Sequence, residues 1–253
     1  MLGITTSGIS AKNTELISQL KNNNIFIIDC SLTNLLSKDW SNITEYDVQK
    51  LSYELESNLI QVNSIQSIFY NKEVNFSNSS DMDEIVNHLK SICKYAKILK
   101  CKKLLFGSPK QRQNIDKFDN FIKTFYSINY LMSDTDMIFN IENLDYQKNV
   151  LLKTSLDIIN FIESHKLNNC KINLHLFVED YKTIDAELLK NYLIDTIHFS
   201  DYNYTDNLIN NNSVLLEGLF KATKYNKHNK ILEFNTEKTN ITLKNVNNLL
   251  AFL

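Results

Sequence analysis

The chain has 253 residues, of which 43% are hydrophobic and 22% charged. That is enough to bury a full core, and it excludes disordered, collagen-like and disulfide-dependent classes. A net charge of -2 offers nucleic acid or anionic lipid no general attraction, since such partners are met by a basic excess. No apolar run approaches a membrane span, and Met1 to Ser7 lack a basic region followed by a signal-type apolar core. The sequence therefore reads as cytoplasmic, with neither nucleic acid nor membrane as a partner.

In chain order, short apolar runs predict strands at Leu2–Thr6, Ile25–Asp29, Ser64–Phe69, Lys103–Gly107, Met137–Glu142, Lys171–Leu176, Thr196–Ser200 and Lys230–Phe234. Helical spacing recurs between them. Ile85, Leu89, Ile92, Cys93, Ala96 and Leu99 form one apolar face, with Asp81, Asp83 and Glu84 at its N-terminal end. Leu156, Ile158, Ile159, Phe161 and Ile162 form another. Ser37–Asn63, which holds the only Trp, Trp40, reads as a helix-rich loop, and Tyr202–Asn229 as a poorly defined helix. Asparagine runs such as Asn22 to Asn24 suit solvated turns, where Asn tolerates a left-handed backbone. Eight strands alternating with helices, with no Pro/Gly-rich linker, predict an α/β protein: a single (β/α)8 TIM barrel over residues 1–253.

Cys30, Cys93, Cys101 and Cys170 show no Cys-x-x-Cys spacing and are expected to be buried thiols. The informative residues stand at strand ends, where barrels gather their chemistry. Gln66, Glu142, His175, His198 and Glu233 interrupt the third, fifth, sixth, seventh and eighth apolar runs. A buried polar side chain without a partner costs about 1 to 3 kcal/mol. Two carboxylates and two imidazoles from successive strands can converge on Mn²⁺, Co²⁺, Mg²⁺ or Zn²⁺; the bland alternative is a set of interior residues that bond one another. After the fourth run comes Phe106-Gly107-Ser108-Pro109-Lys110-Gln111-Arg112, with the only Pro and the only Arg. A fixed turn carrying Lys110 and Arg112 suits a phosphate, carboxylate or polyol, or is a plain turn with solvated basic residues.

These segments resemble the xylose isomerase-like barrel superfamily, in particular its sugar-phosphate isomerase/epimerase branch associated with bacterial surface-polysaccharide gene clusters. The resemblance rests on Ser64-Ile65-Gln66-Ser67-Ile68-Phe69, on the Phe106 to Arg112 turn, on Ile141-Glu142-Asn143 and on His198-Phe199-Ser200-Asp201. It implies a divalent metal held by Glu, Asp, His and Glu from the last four strands. Glu142, His198 and Glu233 match the first, third and fourth. The Asp falls on Phe177, or on His175 if the register slips by two. Either His175 replaces the carboxylate, or the metal is weak or lost. The His that follows that Asp by three residues is also absent, with Val178 or Asp180 in its place.

The resemblance further implies sugar or sugar-phosphate isomerisation or epimerisation through an enediolate. Glu142 and Glu233 would be its acid and base, and Gln66, Lys110, Arg112 and Asp201 its substrate contacts. Barrels of this kind often pair, so a homodimer is an expectation. Two rivals stand beside this reading: a catalytically degenerate barrel that binds a sugar or a partner protein, and an endonuclease IV-like abasic-site nuclease. The nuclease needs more His ligands than a chain with five His, three of them outside the strands, offers.

Overall fold

Apolar runs of four to eight residues can bury both faces only in a sheet that is covered on both sides, and this chain achieves that by closing the sheet on itself. The computed structural model describes residues 1–9, 13–113, 117–145, 147–177, 185–201, 212–225, 227–234 and 239–250. Eight parallel strands, β1 (Leu2–Thr5), β2 (Ile27–Cys30), β3 (Gln61–Ile65), β4 (Lys103–Phe106), β5 (Ile138–Glu142), β6 (Cys170–Phe177), β7 (Ile194–Ser200) and β8 (Lys230–Leu232), pair in chain order. β8 returns to β1, with Gly3 opposite Ile231. The predicted barrel is the observed one.

Among the described residues the helices are α1 (Asn13–Asn22), α2 (Leu32–Leu36), α3 (Glu45–Ser57), α4 (Met82–Ile98), α5 (Phe118–Thr135), α6 (Ser155–Ser164), α7 (Ala186–Leu189), α8 (Asn212–Tyr225) and α9 (Thr239–Leu250). None is long and apolar enough to cross a membrane. Capping boxes start two of them: Asp47 N–H donates to Thr44 Oγ1 while Thr44 N–H donates back to Asp47, and Thr154 and Asp157 repeat the pattern. With four glycines in the chain and none described at positive φ, left-handed turns after helices fall on Asn24, Ser37, Leu59, Lys100, Asp136 and Lys166.

The third strand runs earlier than the sequence predicts, at Gln61–Ile65 instead of Ser64–Phe69, so Ser37–Asn63 contains α3 and the first half of β3. The apolar signal fails there because Asn63 faces the interior, donating to Asp29 Oδ1 at 2.7 Å. Ile68 and Phe69 are buried beyond the strand, Phe69 packing edge-on against Phe76 and Phe106. Gln66 therefore lies one residue past β3, and Glu233 one past β8. Trp40 is buried edge-on to His88, a packing role as expected. Of Tyr202–Asn229, residues 212–225 form α8, while 202–211 and 226 lie outside the described residues, as do Val178 and Asp180.

The interior of this barrel is unusually polar for a fold whose inner layers are dominated by branched aliphatics. Cross-barrel bonds show which side chains point inward. Lys103 of β4 pairs with Asp195 of β7 at 2.7 Å, and Asn140 of β5 donates to the same carboxylate at 2.9 Å. Asn229, just before β8, donates to Asn63 Oδ1 at 2.8 Å. A register shift between Ile172 and Asn173, where β6 meets β7, brings Asp195 and Thr196 together, with Thr196 Oγ1 donating to Asp195 at 3.1 Å. Outward residues such as Ile141, Phe106 and Phe139 pack instead against the helices, in a cluster with Phe76, Phe121 and Phe125.

Candidate metal centre

Period-two alternation along β7 turns Thr196, His198 and Ser200 to one face and Ile197 and Phe199 to the other. His198 is completely buried, and its Nε2 donates to Asp29 Oδ2 across the barrel at 2.6 Å. Nδ1 lies 3.4 Å from Glu142 Oε1 and 3.4 Å from Glu233 Oε2. One ligand atom from each of Glu142, His198 and Glu233 falls within 4.8 Å of the other two. A carboxylate behind an imidazole fixes which ring nitrogen carries the proton and aims the other at the metal. Here Asp29 accepts the hydrogen bond from Nε2–H, so Nδ1 faces the two glutamates.

The charges reinforce one another. Burial opposes a positive His198, but hydrogen bonds to Asp29 and Glu233 and the Asp29 and Glu142 charges raise its pKa to about 10. Burial, with Glu233 close by, pushes Glu142 up to about 7. Burial works in the same direction on Glu233, yet the His198 hydrogen bond and charge outweigh it and leave that carboxyl below its ordinary value. Without an ion, the His198 imidazolium is the positive charge that faces both glutamate side chains.

Neighbouring strands fix the Glu142 side chain. Asn173, opposite it in the β5–β6 register, donates to Oε1 at 2.8 Å. On the other side a Cβ on Gly107 would sit 2.0 Å from Oε2, so this glycine is required by the carboxylate lying over it. Arg112 is buried in the wall of the mouth. Its Nη1 donates to the carbonyls of Glu142 at 2.9 Å and Leu152 at 3.1 Å, its Nε donates to Ser108 O at 3.3 Å, and its guanidinium lies over the Phe106 ring. The expected ligand-binding turn thus braces the backbone of Glu142, and Lys110 is exposed and paired with Glu73.

Gln66 is buried and donates to Thr5 Oγ1 at 2.5 Å. It lines a cavity of about 240 Å³ together with Tyr70, Gly107, Ser108, Glu142 and Glu233. Asp201 is buried directly after β7. His175, expected as a stand-in ligand, lies level with His198 but outside the three-residue cluster. Its Nε2 is 2.9 Å from Ser200 Oγ, Phe177 packs edge-on against its ring, and burial lowers its pKa to about 4. The other histidines lie elsewhere: His88 contacts Trp40 and Phe69, His165 contacts Phe161, and His228 is exposed. Among the described residues there is thus no larger His cluster of the kind a multinuclear nuclease site needs.

Asp29, Asn173 and the role of Gly107 escape a reading of the sequence. Asp29 ends a run that is otherwise Ile-Phe-Ile-Ile, and an acid in such a strand is the signal that could have found it.

No protein-family model matches the chain, and no curated protein matches it by sequence. Solved structures do match in fold. D-psicose 3-epimerase from Clostridium cellulolyticum H10 is 12% identical with a TM-score of 0.71, over 99% of this chain and 97% of that one. An AP endonuclease, family 2, from Brucella melitensis is 13% identical with a TM-score of 0.70, over 96% of each chain. A xylose isomerase domain protein from Alicyclobacillus acidocaldarius is 8% identical with a TM-score of 0.66, over 100% and 98%. The chain has the xylose isomerase-like TIM-barrel fold. Proteins that share this fold include an epimerase and an endonuclease, so the chemistry must be argued from the site.

Proposed function

We propose that this barrel is a divalent-metal-dependent sugar or sugar-phosphate isomerase or epimerase with Glu142 and Glu233 as its acid and base. The observation that carries the reading is the convergence of Glu142, His198 and Glu233 within 4.8 Å, with Asp29 holding the far ring nitrogen. Two oxygens and one nitrogen fit a hard or borderline ion such as Mn²⁺, Co²⁺, Mg²⁺ or Zn²⁺, and three protein ligands leave positions open for substrate. Such an ion, when bound, polarises a carbonyl and its neighbouring hydroxyl and so acidifies the proton on the hydroxyl-bearing carbon.

The chain's own residues divide the proton work. Glu233, kept ionised by His198, suits the base; Glu142, near 7, suits the acid. Return of the proton to the opposite face of the same carbon gives an epimer, and return to the adjacent carbon gives an isomer. Gln66, which lines the cavity, and Asp201, just after β7, would orient substrate hydroxyls, and Asn173 and Gly107 hold the Glu142 carboxyl in position.

The test is hydrogen exchange. Metal-loaded protein incubated with ketoses and aldoses in D₂O should place deuterium on the carbon next to the carbonyl, read by NMR. Glu142→Gln and Glu233→Gln should each slow exchange about 10²- to 10⁴-fold while leaving the fold intact. Full exchange in both variants refutes the assignment. The missing Asp of the resembled family, whose place falls on Phe177 or on His175, favours a second reading, a barrel that binds a sugar without turning it over. That reading expects sugar binding independent of metal and no exchange with any substrate.

A further inference from the structure

A second cavity adjoins the one above the candidate metal centre. It has a volume of about 400 Å³ and shares Ser7, Ser67 and Tyr70 with its neighbour. The first cavity reaches the ends of β4, β5 and β8; the second lies over the turns after β1, β2 and β3, where Thr33, Ser37 and Asn71 line it. At about 240 Å³ the first is smaller than the roughly 300 to 1,000 Å³ typical of ligand sites, and joined to the second it enters that range.

The lining chemistry selects the occupant. Hydroxyl and amide side chains dominate the second cavity, and Tyr70, 57% exposed, stands at the junction of the two. A flat aromatic face beside short hydrogen-bonding side chains matches the alternating apolar and hydroxyl faces of a sugar ring. The described charges there are already engaged: Lys38 pairs with Asp47 at 2.7 Å, and Asp39 accepts from Asn71 at 3.3 Å. A bound phosphate would instead call for an Arg or Lys cluster. The backbone marks the same junction, because Ser67 holds φ at 56° directly after Gln66. A non-glycine residue in the left-handed region at a ligand site is strain of the kind that surrounding structure must enforce.

We infer that the substrate carries a second, uncharged sugar unit, and that this unit lies in the cavity over β1 to β3 while the reacting carbon sits between Glu142 and Glu233. The inference rests on the catalytic reading above for the position of the reacting carbon; the cavity and its lining stand independently of it.

Binding and turnover separate the two ideas. Isothermal titration of the metal-loaded protein would compare fructose, fructose 6-phosphate and four ketose disaccharides linked through O3, O4 or O6: turanose, maltulose, lactulose and isomaltulose. At least one disaccharide should bind tenfold or more tightly than fructose. Tyr70→Ala and Asn71→Gly should each reduce that ratio at least threefold; glycine accepts the φ of 57° at Asn71.

Equal binding of fructose and every disaccharide, tighter binding of fructose 6-phosphate than of any disaccharide, or no binding at all overturns the inference. Deuterium exchange measured on the same sugars reports separately on catalysis. A disaccharide that binds tightly without exchange supports the cavity and removes the isomerase reading, whereas exchange on fructose with no disaccharide preference does the reverse.

Discussion

Replacing Gly107 by Ala tests the site with little disturbance to the fold. The added Cβ would lie 2.0 Å from Glu142 Oε2, and real Cβ contacts do not come under 3.0 Å. The carboxylate must therefore retreat by about 1 Å. The nearest obstruction is the tip of a flexible side chain and not backbone, so the change is absorbed by Glu142 instead of by β4. That movement changes the 3.4 Å approach to His198 Nδ1 and disturbs the 2.8 Å bond from Asn173.

A ligand displaced in this way acts like the loss of an orienting partner, which typically costs 10- to 100-fold in metal affinity. A reacting group misplaced by about 1 Å costs about 10²-fold in rate. Calorimetric titration with Mn²⁺ or Zn²⁺, together with a melting curve of the metal-free protein, separates site from scaffold. Expected are a 10- to 100-fold weaker metal and a melting temperature within about 3 °C of the parent. Unchanged metal affinity would refute the placement of Glu142 over Gly107, and a collapsed melting temperature would show that the glycine serves the fold instead.

Three further outcomes are expected. Asp29→Asn removes the carboxylate that fixes the His198 proton on Nε2, so metal affinity should fall 10- to 100-fold and the His198 NMR titration midpoint should move down; an unmoved midpoint contradicts the pairing. In chelator-treated protein, His198 is raised from 6.5 to about 10 and Glu142 from 4.5 to about 7. Each shift stabilises the fold fully below its unfolded value and ceases to do so as pH rises through its folded value. The metal-free melting temperature should therefore fall between about pH 4.5 and 10, and added Mn²⁺, which needs deprotonated ligands, should reverse the fall; a flat metal-free profile counts against it. Leu59, exposed and at φ 62°, pays about 1 to 2 kcal/mol for a left-handed backbone. Leu59→Gly should raise the melting temperature by about 2 to 4 °C in a thermal scan.

The sequence reveals the barrel because apolar runs and amphipathic helices alternate, and outward strand residues such as Phe106, Phe139 and Ile141 share one core with helix residues. It reveals less where the interior turns polar. Asn63, turned inward, and Gln61, exposed, hide the start of β3, since polar residues break the apolar run that marks a strand. Glu142, His198 and Glu233 stand out because each follows or interrupts an apolar strand, and the structure brings them together. Asp29 does not stand out, because its partner lies 169 residues away and only closure of the sheet brings them into contact. Arg112 misleads for a related reason: a lone basic residue in a surface turn suggests a ligand, but folding buries it against the carbonyls of Glu142 and Leu152.

The polar interior also bears on the stability of the barrel. Exchanging a buried ionic cluster for well-packed hydrophobic residues is often neutral or stabilises a fold by about 1 to 4 kcal/mol. By that scale the cluster of Asp29, Glu142 and His198, each leaning on residues from distant parts of the chain, leaves the barrel less stable than an apolar interior would.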